Sequence, residues 1–469
     1  MPPLIRPLAM RAYYLTRAEF ICIGTGAEAR RNDPISAVPT PCPRFRSLTL
    51  FKVDFAPQIN DRCEASRSAV WVRRNRPPNV LTGRLRCRVG KSVKLVPFEM
   101  ERWQSTWENT VDFNLSESGV QPIPLRELLG DEAATERFLD YPLAYSQGNG
   151  TRELRTKIAA MYHDASPGHV LVTNGSSEAN LLAMWHLVER GDEVVVMLPN
   201  YMENWGLAQM FGGNVKPLRL QESRNWQFDP DELSSLVTPK TKAIAICNPN
   251  NPTGAVMGEA QRKAVLDAAR DRGAWLLSDE VYIGAEREGP RTESVWGEHE
   301  RTLIVNGLSK AYALPGLRIG WVVGPPEAVA TLWAHHDYTT LAPTYLSDRL
   351  AQIALAPKRR EEILARTRSI LQRNYGILAA WIRDHGSLFT HIPPTAGAIC
   401  FLRYALRINS TELAWRLLKE KSTLIVPGDH FGMDGFMRIG MGDAQAYLTK
   451  GLERIDALIR EIRTEKGKS

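Results

Sequence analysis

From about residue 146 the chain falls into a rhythm in which short apolar runs alternate with longer stretches whose apolar positions recur at helical spacing. The runs His169–Thr173, Glu193–Leu198, Lys242–Cys247, Trp275–Ser278, Thr302–Val305 and Ile319–Val323 predict strands. Between the first two lies Glu178–Glu189, where Leu181, Leu182, Trp185 and Val188 predict one apolar helical face. Strands alternating with helices imply an α/β fold, a parallel sheet covered by helices on both faces, with residues 146–340 as a large domain. Beyond about residue 341 the pattern shifts to long helices and few strands. Together with residues 100–145 that part predicts a second, smaller α/β domain, and neither part carries an internal repeat.

The first 99 residues read differently. Eleven prolines break every helical period, and 15 arginines and three lysines stand against seven acidic residues. Such a segment predicts a disordered extension, or upstream sequence ahead of a start at Met100. It also accounts for the formal net charge of +7, because residues 100–469 are net acidic. Nothing in the larger part points to a nucleic-acid partner. With 43% hydrophobic residues, a chain of 469 residues can fill large, well-buried cores.

Cys22, Cys42, Cys63 and Cys87 form no Cys-x-x-Cys pair and have no histidine among them to complete a zinc site. Cys247 and Cys400 sit in apolar runs and are expected to be buried thiols. No apolar stretch reaches the roughly 18 residues that a membrane span needs, and no secretory apolar core opens the chain. The expectation is a reducing compartment, the cytoplasm, with no membrane partner.

Chemistry-bearing residues follow the predicted strands in turn: Gly175-Ser176-Ser177 after the first, Tyr201 after the second, Asn251 after the third, Asp279 after the fourth and Lys310 after the fifth. In an open parallel sheet that edge is where ligands bind. Taken singly, each has a plain alternative, such as a serine helix cap, a core tyrosine, a turn asparagine, a structural aspartate or a surface lysine. Their convergence on one edge favours a site.

Asp279 ends an apolar strand where an uncompensated carboxylate is costly, yet opposite a pyridine nitrogen its charge keeps that nitrogen protonated. Tyr282, three residues on, can reach a phenolic oxygen, and Tyr201 can stack on a flat ring. Lys310, in Asn306-Gly307-Leu308-Ser309-Lys310, follows a buried strand, where desolvation and neighbouring cations are expected to lower its pKa and make it nucleophilic. Arg318, flanked by Leu317 and Ile319, needs an anion, and a phosphate satisfies it. An aldehyde, a phosphate, a pyridine and a phenol in one molecule describe pyridoxal 5′-phosphate. The neighbours His335-His336-Asp337 are read as loop or hinge residues, since adjacent helical side chains diverge; no metal is expected.

These strings, in this order, resemble the class I/II aminotransferases of pyridoxal-phosphate fold type I, over residues from about 112 to 455. Further matches are Tyr145 with Gly150, the Leu154-Arg155 pair, Pro427-Gly428 ahead of Phe431-Gly432, and Arg438 in Met437-Arg438-Ile439-Gly440. The resemblance implies a large domain with a mostly parallel sheet flanked by helices plus a smaller α/β domain, and amino transfer between an L-amino acid and a 2-oxo acid. It implies that Lys310 carries the cofactor and moves a proton, that Asp279 pairs with the ring nitrogen, and that Asn251 and Tyr282 meet its hydroxyl while Tyr201 covers its face. Gly175, Ser176, Ser177, Ser309 and Arg318 would hold the phosphate, joined by Tyr145 from the partner subunit of a homodimer. Arg438, with Asn251, would bind the substrate carboxylate. One departure is Gly307, where many relatives carry serine.

The stretch Asn114–Val120 is also similar to the corresponding segment of capreomycidine synthase-like enzymes, which act on a guanidino amino acid. That likeness makes Glu117 a candidate partner for a cationic side chain and sets the alternative of a pyridoxal-phosphate-dependent eliminase or cyclase. A further alternative is a pyridoxal-phosphate-binding transcription regulator with an N-terminal winged helix, although prolines interrupt every stretch of residues 1–99 long enough for a recognition helix.

Overall fold

The computed structural model describes residues 96–466. The expectations for the Arg/Pro-rich extension, its four cysteines and a DNA-binding region fall on residues that lie outside this range, apart from the few that precede Met100.

Seven strands build the main sheet: β1 (Val170–Thr173), β2 (Glu193–Leu198), β3 (Asn214–Arg219), β4 (Thr241–Cys247), β5 (Trp275–Asp279), β6 (Thr302–Gly307) and β7 (Gly320–Val323). Their spatial order is β1-β7-β6-β5-β4-β2-β3. Strands β2 to β6 pair in parallel, while β7 runs antiparallel between β1 and β6. The predicted parallel sheet is therefore mostly parallel, with one reversed strand. All six expected strands are present, and β3 is an addition. Its residues Asn214-Val215-Lys216-Pro217-Leu218-Arg219 are only partly buried at the sheet's edge, where proline is tolerated and apolar alternation is not required.

Alternate residues of the central strands face two separate cores. Val194, Val196, Ala243, Ala245, Leu277 and Leu303 pack on one face with helices α1 (Ser176–Leu187) and α2 (Pro326–His336). On the other face Val195, Met197, Ile244, Ile246, Leu276 and Ile304 pack with α3 (Glu259–Arg272). Burial on both faces explains why these strands read as continuous apolar runs.

Helix α1 starts two residues earlier than the pattern predicts, and its sheet-facing side differs. Ala179, Leu182, Ala183 and Leu187 are buried, whereas Trp185 is 37% exposed and stacks on His335 at 4.5 Å. Alanines let the helix approach the sheet closely, so the largest residue is not the one that faces inward. His335 and His336 close α2 rather than forming a loop. His336 is buried, with Nε2 3.3 Å from the Glu178 carboxylate.

A second, antiparallel sheet joins Val426–Pro427, Phe436–Gly440, Ile399–Tyr404 and Phe389–His391 in that order. It packs with the long helices Pro357–Asp384 and Gln445–Lys466 around a distinct core that includes Leu378, Leu402, Leu417, Ile439 and Leu452. Phe113–Asn114 pairs in parallel with Thr423–Leu424, which binds the N-terminal stretch to this part of the chain. Cys247 and Cys400 are both buried, as expected. Among the described residues no helix is long and apolar enough to cross a membrane.

Candidate active site

The carboxyl ends of β1, β2, β4, β5 and β6 lie along one edge of the main sheet. The amino end of the reversed strand β7 joins them there. A cavity of about 370 Å³ opens at this edge, walled by Glu117, Ser176, Ser177, Tyr201, Asn251, Asp279, Tyr282, Ser309, Lys310 and Arg318. A larger hollow of about 790 Å³ beside α3 contains none of the candidate residues. Convergence of chemistry, and not size, marks the site.

Three features at one end of the cavity suit a phosphate. Helix α1 begins at Ser176 with no side chain capping its first turn, so its free N–H groups and positive dipole end are available. Gly175, at φ +86°, lets the Arg318 guanidinium lie against the backbone; a Cβ there would come 2.4 Å from Arg318 Nη2. Arg318 Nη1 lies 3.4 Å from Ser309 Oγ and 3.1 Å from the Pro315 carbonyl, and makes no ion pair among the described residues. Gly307 pairs with Gly320 across β6 and β7, and a Cβ on Gly307 would meet the Ile319 carbonyl oxygen at 3.1 Å.

Lys310, next to Ser309 in the chain, lines the same cavity. Its Nζ lies 3.1 Å from Glu117 Oε1, which also accepts from the Ser118 and Gly119 N–H groups. The Lys310 ammonium pulls the Glu117 carboxyl down to about 2. Burial works to lower the Lys310 pKa, but the facing Glu117 and Tyr282 outweigh it and the net shift is upward. This corrects the expectation of a lowered pKa: the neighbour is a carboxylate where cations were foreseen. Glu117 is likewise not simply solvated.

Asp279 closes β5 and is buried, and its desolvation pushes the carboxyl up to about 6. Its Oδ1 accepts from Val281 N at 3.2 Å and its Oδ2 from Asn180 Nδ2 at 3.3 Å. Tyr282 is buried, and its hydroxyl makes no hydrogen bond of ordinary geometry, with the Ser118 side chain close enough to act on it. Since buried hydroxyls are ordinarily paired, this orphan on the cavity wall suits the phenolic oxygen of pyridoxal phosphate. Tyr201 lines the cavity and donates to Glu101 Oε2 at 2.7 Å.

Two candidates stand apart from the cavity. Arg438 is 1% exposed, bonded to Asn251 Oδ1 at 2.9 Å and the Ser116 carbonyl at 2.5 Å, and so sits behind Asn251 instead of on the wall. Tyr145 is 88% exposed and away from this chain's cavity.

Several lining residues escape sequence reasoning: Glu101, Gln104 and Glu108 from and just beyond the helix Glu99–Trp107, together with Asn180 and Glu203. The first three stand at i, i+3 and i+7, a polar helical stripe legible in principle. Asn180 and Glu203 carry no sequence signal.

The family model described as aminotransferase class I and II matches residues 142–455. Capreomycidine synthase of Streptomyces vinaceus is 33% identical over 347 residues, covering 73% of this chain and 88% of that protein. A PLP-dependent aminotransferase from Streptococcus suis superposes with a TM-score of 0.74 at 33% identity, covering 79% of this chain and 99% of that one. The PLP-dependent cyclase OrfR superposes at 0.72 with 28% identity, covering 81% and 100%. The chain belongs to the class I and II aminotransferase family, has the pyridoxal-phosphate fold type I, and uses pyridoxal 5′-phosphate.

Proposed function

Within that family, we propose that this chain transfers an amino group between an L-amino acid and a 2-oxo acid, with Lys310 and Asp279 as its catalytic pair. The observation that carries the reading is the convergence of Lys310, Asp279, the orphan Tyr282 hydroxyl and the Ser176–Arg318 phosphate cradle on one cavity. Pyridoxal phosphate supplies, when bound, a carbonyl that links to amines and a pyridine ring that draws electrons from their Cα.

The chain's residues do the rest. Lys310 would anchor the cofactor and, once displaced by substrate, would move a proton between the substrate Cα and the cofactor's former carbonyl carbon. Asp279 would present a negative charge to the ring nitrogen. Tyr282 and Asn251 would meet the ring oxygen, Tyr201 would cover the ring, and Ser176, Ser177, Ser309 and Arg318 would hold the phosphate. Arg438, freed from Asn251 and Ser116, would receive the substrate carboxylate. Residues 146–340 would serve as the large domain, with 100–145 and 341–469 as the small one. Tyr145 would act on the partner's site in a homodimer, and two buried, unpaired cysteines suit the cytoplasm.

Borohydride reduction of the coloured protein followed by peptide mapping tests this assignment: Lys310 should carry the label, and Lys310→Ala should lower turnover on the order of 10³-fold or more. A label on another lysine would overturn it. Formation of a 2-oxo acid with stoichiometric pyridoxamine phosphate identifies amino transfer.

A second reading, elimination or cyclisation of a guanidino amino acid, is favoured by the acidic wall of Glu101, Glu108 and Glu117 and by the similarity to capreomycidine synthase. Burial and the charges of Glu117 and Glu101 raise the Glu108 pKa, so these carboxyls repel one another. Once Lys310 is tied to the cofactor, Glu117 loses its counter-ion, and a cationic substrate side chain would replace it. Glu117→Lys should abolish turnover of arginine-like substrates while sparing neutral ones; equal losses for both would remove this reading.

A further inference from the structure

Beside Asp279 lies a second, half-buried acid that the chemistry above leaves unused. Glu203 opens the helix Glu203–Met210 and lines the cavity beside Asp279. Asn180, on α1 and itself buried, joins the two: its Nδ2 lies 2.9 Å from Glu203 Oε2 and 3.3 Å from Asp279 Oδ2. One amide nitrogen has two hydrogens, and here each is directed at a different carboxyl. Asn180 Oδ1 has no partner, so the amide's orientation is set by the acids alone. Neither acid makes an ion pair among the described residues, although several other ion pairs are present. Two carboxyls bridged by one amide in a desolvated wall, neither of them in an ion pair, do not both ionise readily.

We propose that Glu203 is a positioning residue for Asp279: bridged by Asn180, the two carboxyls act as one unit that carries a single negative charge and presents it from Asp279 to the ring nitrogen. Asp279 takes the charge because its second donor is the backbone Val281 N–H and the Lys310 ammonium also favours its ionised form, whereas Glu203 has the Ser177 hydroxyl as its second partner and no cation acting on it. Glu203 stays neutral. The groups facing it agree with this division. Burial raises its pKa most, Asn180 opposes that, Asp279 raises it further, the Ser177 hydroxyl lowers it and Glu101 raises it, leaving it at about 8 against about 6 for Asp279. Tyr201 adds no charge, because burial, Glu203 and Glu101 hold its phenol protonated. As pH rises through about 8, Glu203 ionises and a second negative charge arrives near the ring nitrogen.

The inference rests on the cofactor standing at Asp279, so two readouts are needed, one of them independent of loading. In cofactor-free protein, difference infrared spectroscopy across a pH titration should reveal a protonated carboxyl that ionises near pH 8 and is lost in Glu203→Gln. In loaded protein, the bound cofactor's absorbance should show a step near the same pH in wild type and none in Glu203→Gln. Asn180→Leu should weaken cofactor binding by about tenfold, as the loss of one hydrogen bond to a charged group requires. The proposal is overturned if the infrared band or the absorbance step persists in Glu203→Gln, or if Asn180→Leu folds and binds cofactor as wild type does. Failure of wild type to take up cofactor would instead sink the functional reading and leave the infrared titration intact.

Discussion

At the scale of single residues, the pair Lys310–Glu117 shows how a site's chemistry depends on a neighbour distant in sequence. Strand order places Lys310 at the sheet edge, but only the fold brings Glu117 to 3.1 Å from its amine. Because Glu117 raises the Lys310 pKa, removing its charge must lower it. Glu117→Gln should therefore shift the pH profile of Lys310 modification in cofactor-free protein towards lower pH and speed cofactor capture at neutral pH. An unmoved profile would mean that the ion pair does not govern the amine. The cavity residues Ser176, Tyr201, Asn251, Asp279 and Lys310 were legible because each ends or follows an apolar strand with a distinctive side chain. Glu117 was legible only as a carboxylate in a familiar segment, and its partner was not. Asn180 and Glu203 were invisible, since an asparagine inside a helix and a glutamate at the start of another are ordinary in both places.

At the scale of elements, the strands were read well because two-sided burial leaves a simple signature, and the edge strand was missed because it lacks one. The same distinction predicts where substitutions will be costly. Leu277, central in β5 and wholly buried, should lose about 2–5 kcal/mol of stability on truncation to alanine, measured by denaturant unfolding. Gly175 should behave differently. Its left-handed backbone and its contact with Arg318 are local to the first turn of α1, so Gly175→Ala strains that turn and pushes the guanidinium off its seat. The expected result is a cost of about 1 kcal/mol or more in stability with a disproportionate loss of cofactor affinity, read by equilibrium titration. Equal stability and affinity to wild type would show that Arg318 does not need that seat.

At the scale of the whole molecule, the open question is what covers the apolar side chains from Leu139 to Tyr145. Leu143 is 90% exposed and Tyr145 88%, with Leu139 also exposed nearby, and single exposed residues are ordinary whereas a run of them marks an interface. The sequence could assign Tyr145 to a partner's site only by resemblance, because no local pattern says which copy of a chain a side chain serves. A mixing experiment decides it. Lys310→Ala lacks the anchor but keeps Tyr145; Tyr145→Ala lacks the phosphate contact proposed for that side chain but keeps Lys310. If Tyr145 reaches across a two-fold interface, a mixed dimer has one site missing both residues and one site with both intact. Refolding equal amounts together should then restore full-affinity cofactor binding at about one site in four, the share expected from random pairing. If Tyr145 serves its own chain, every anchored site still lacks it and mixing restores nothing. Leu143→Asp, which places a charge in the same run, should yield monomers by sedimentation and weaken cofactor binding with them, since an exposed phosphate cradle without Tyr145 retains only the contacts from Ser176, Ser177, Ser309 and Arg318.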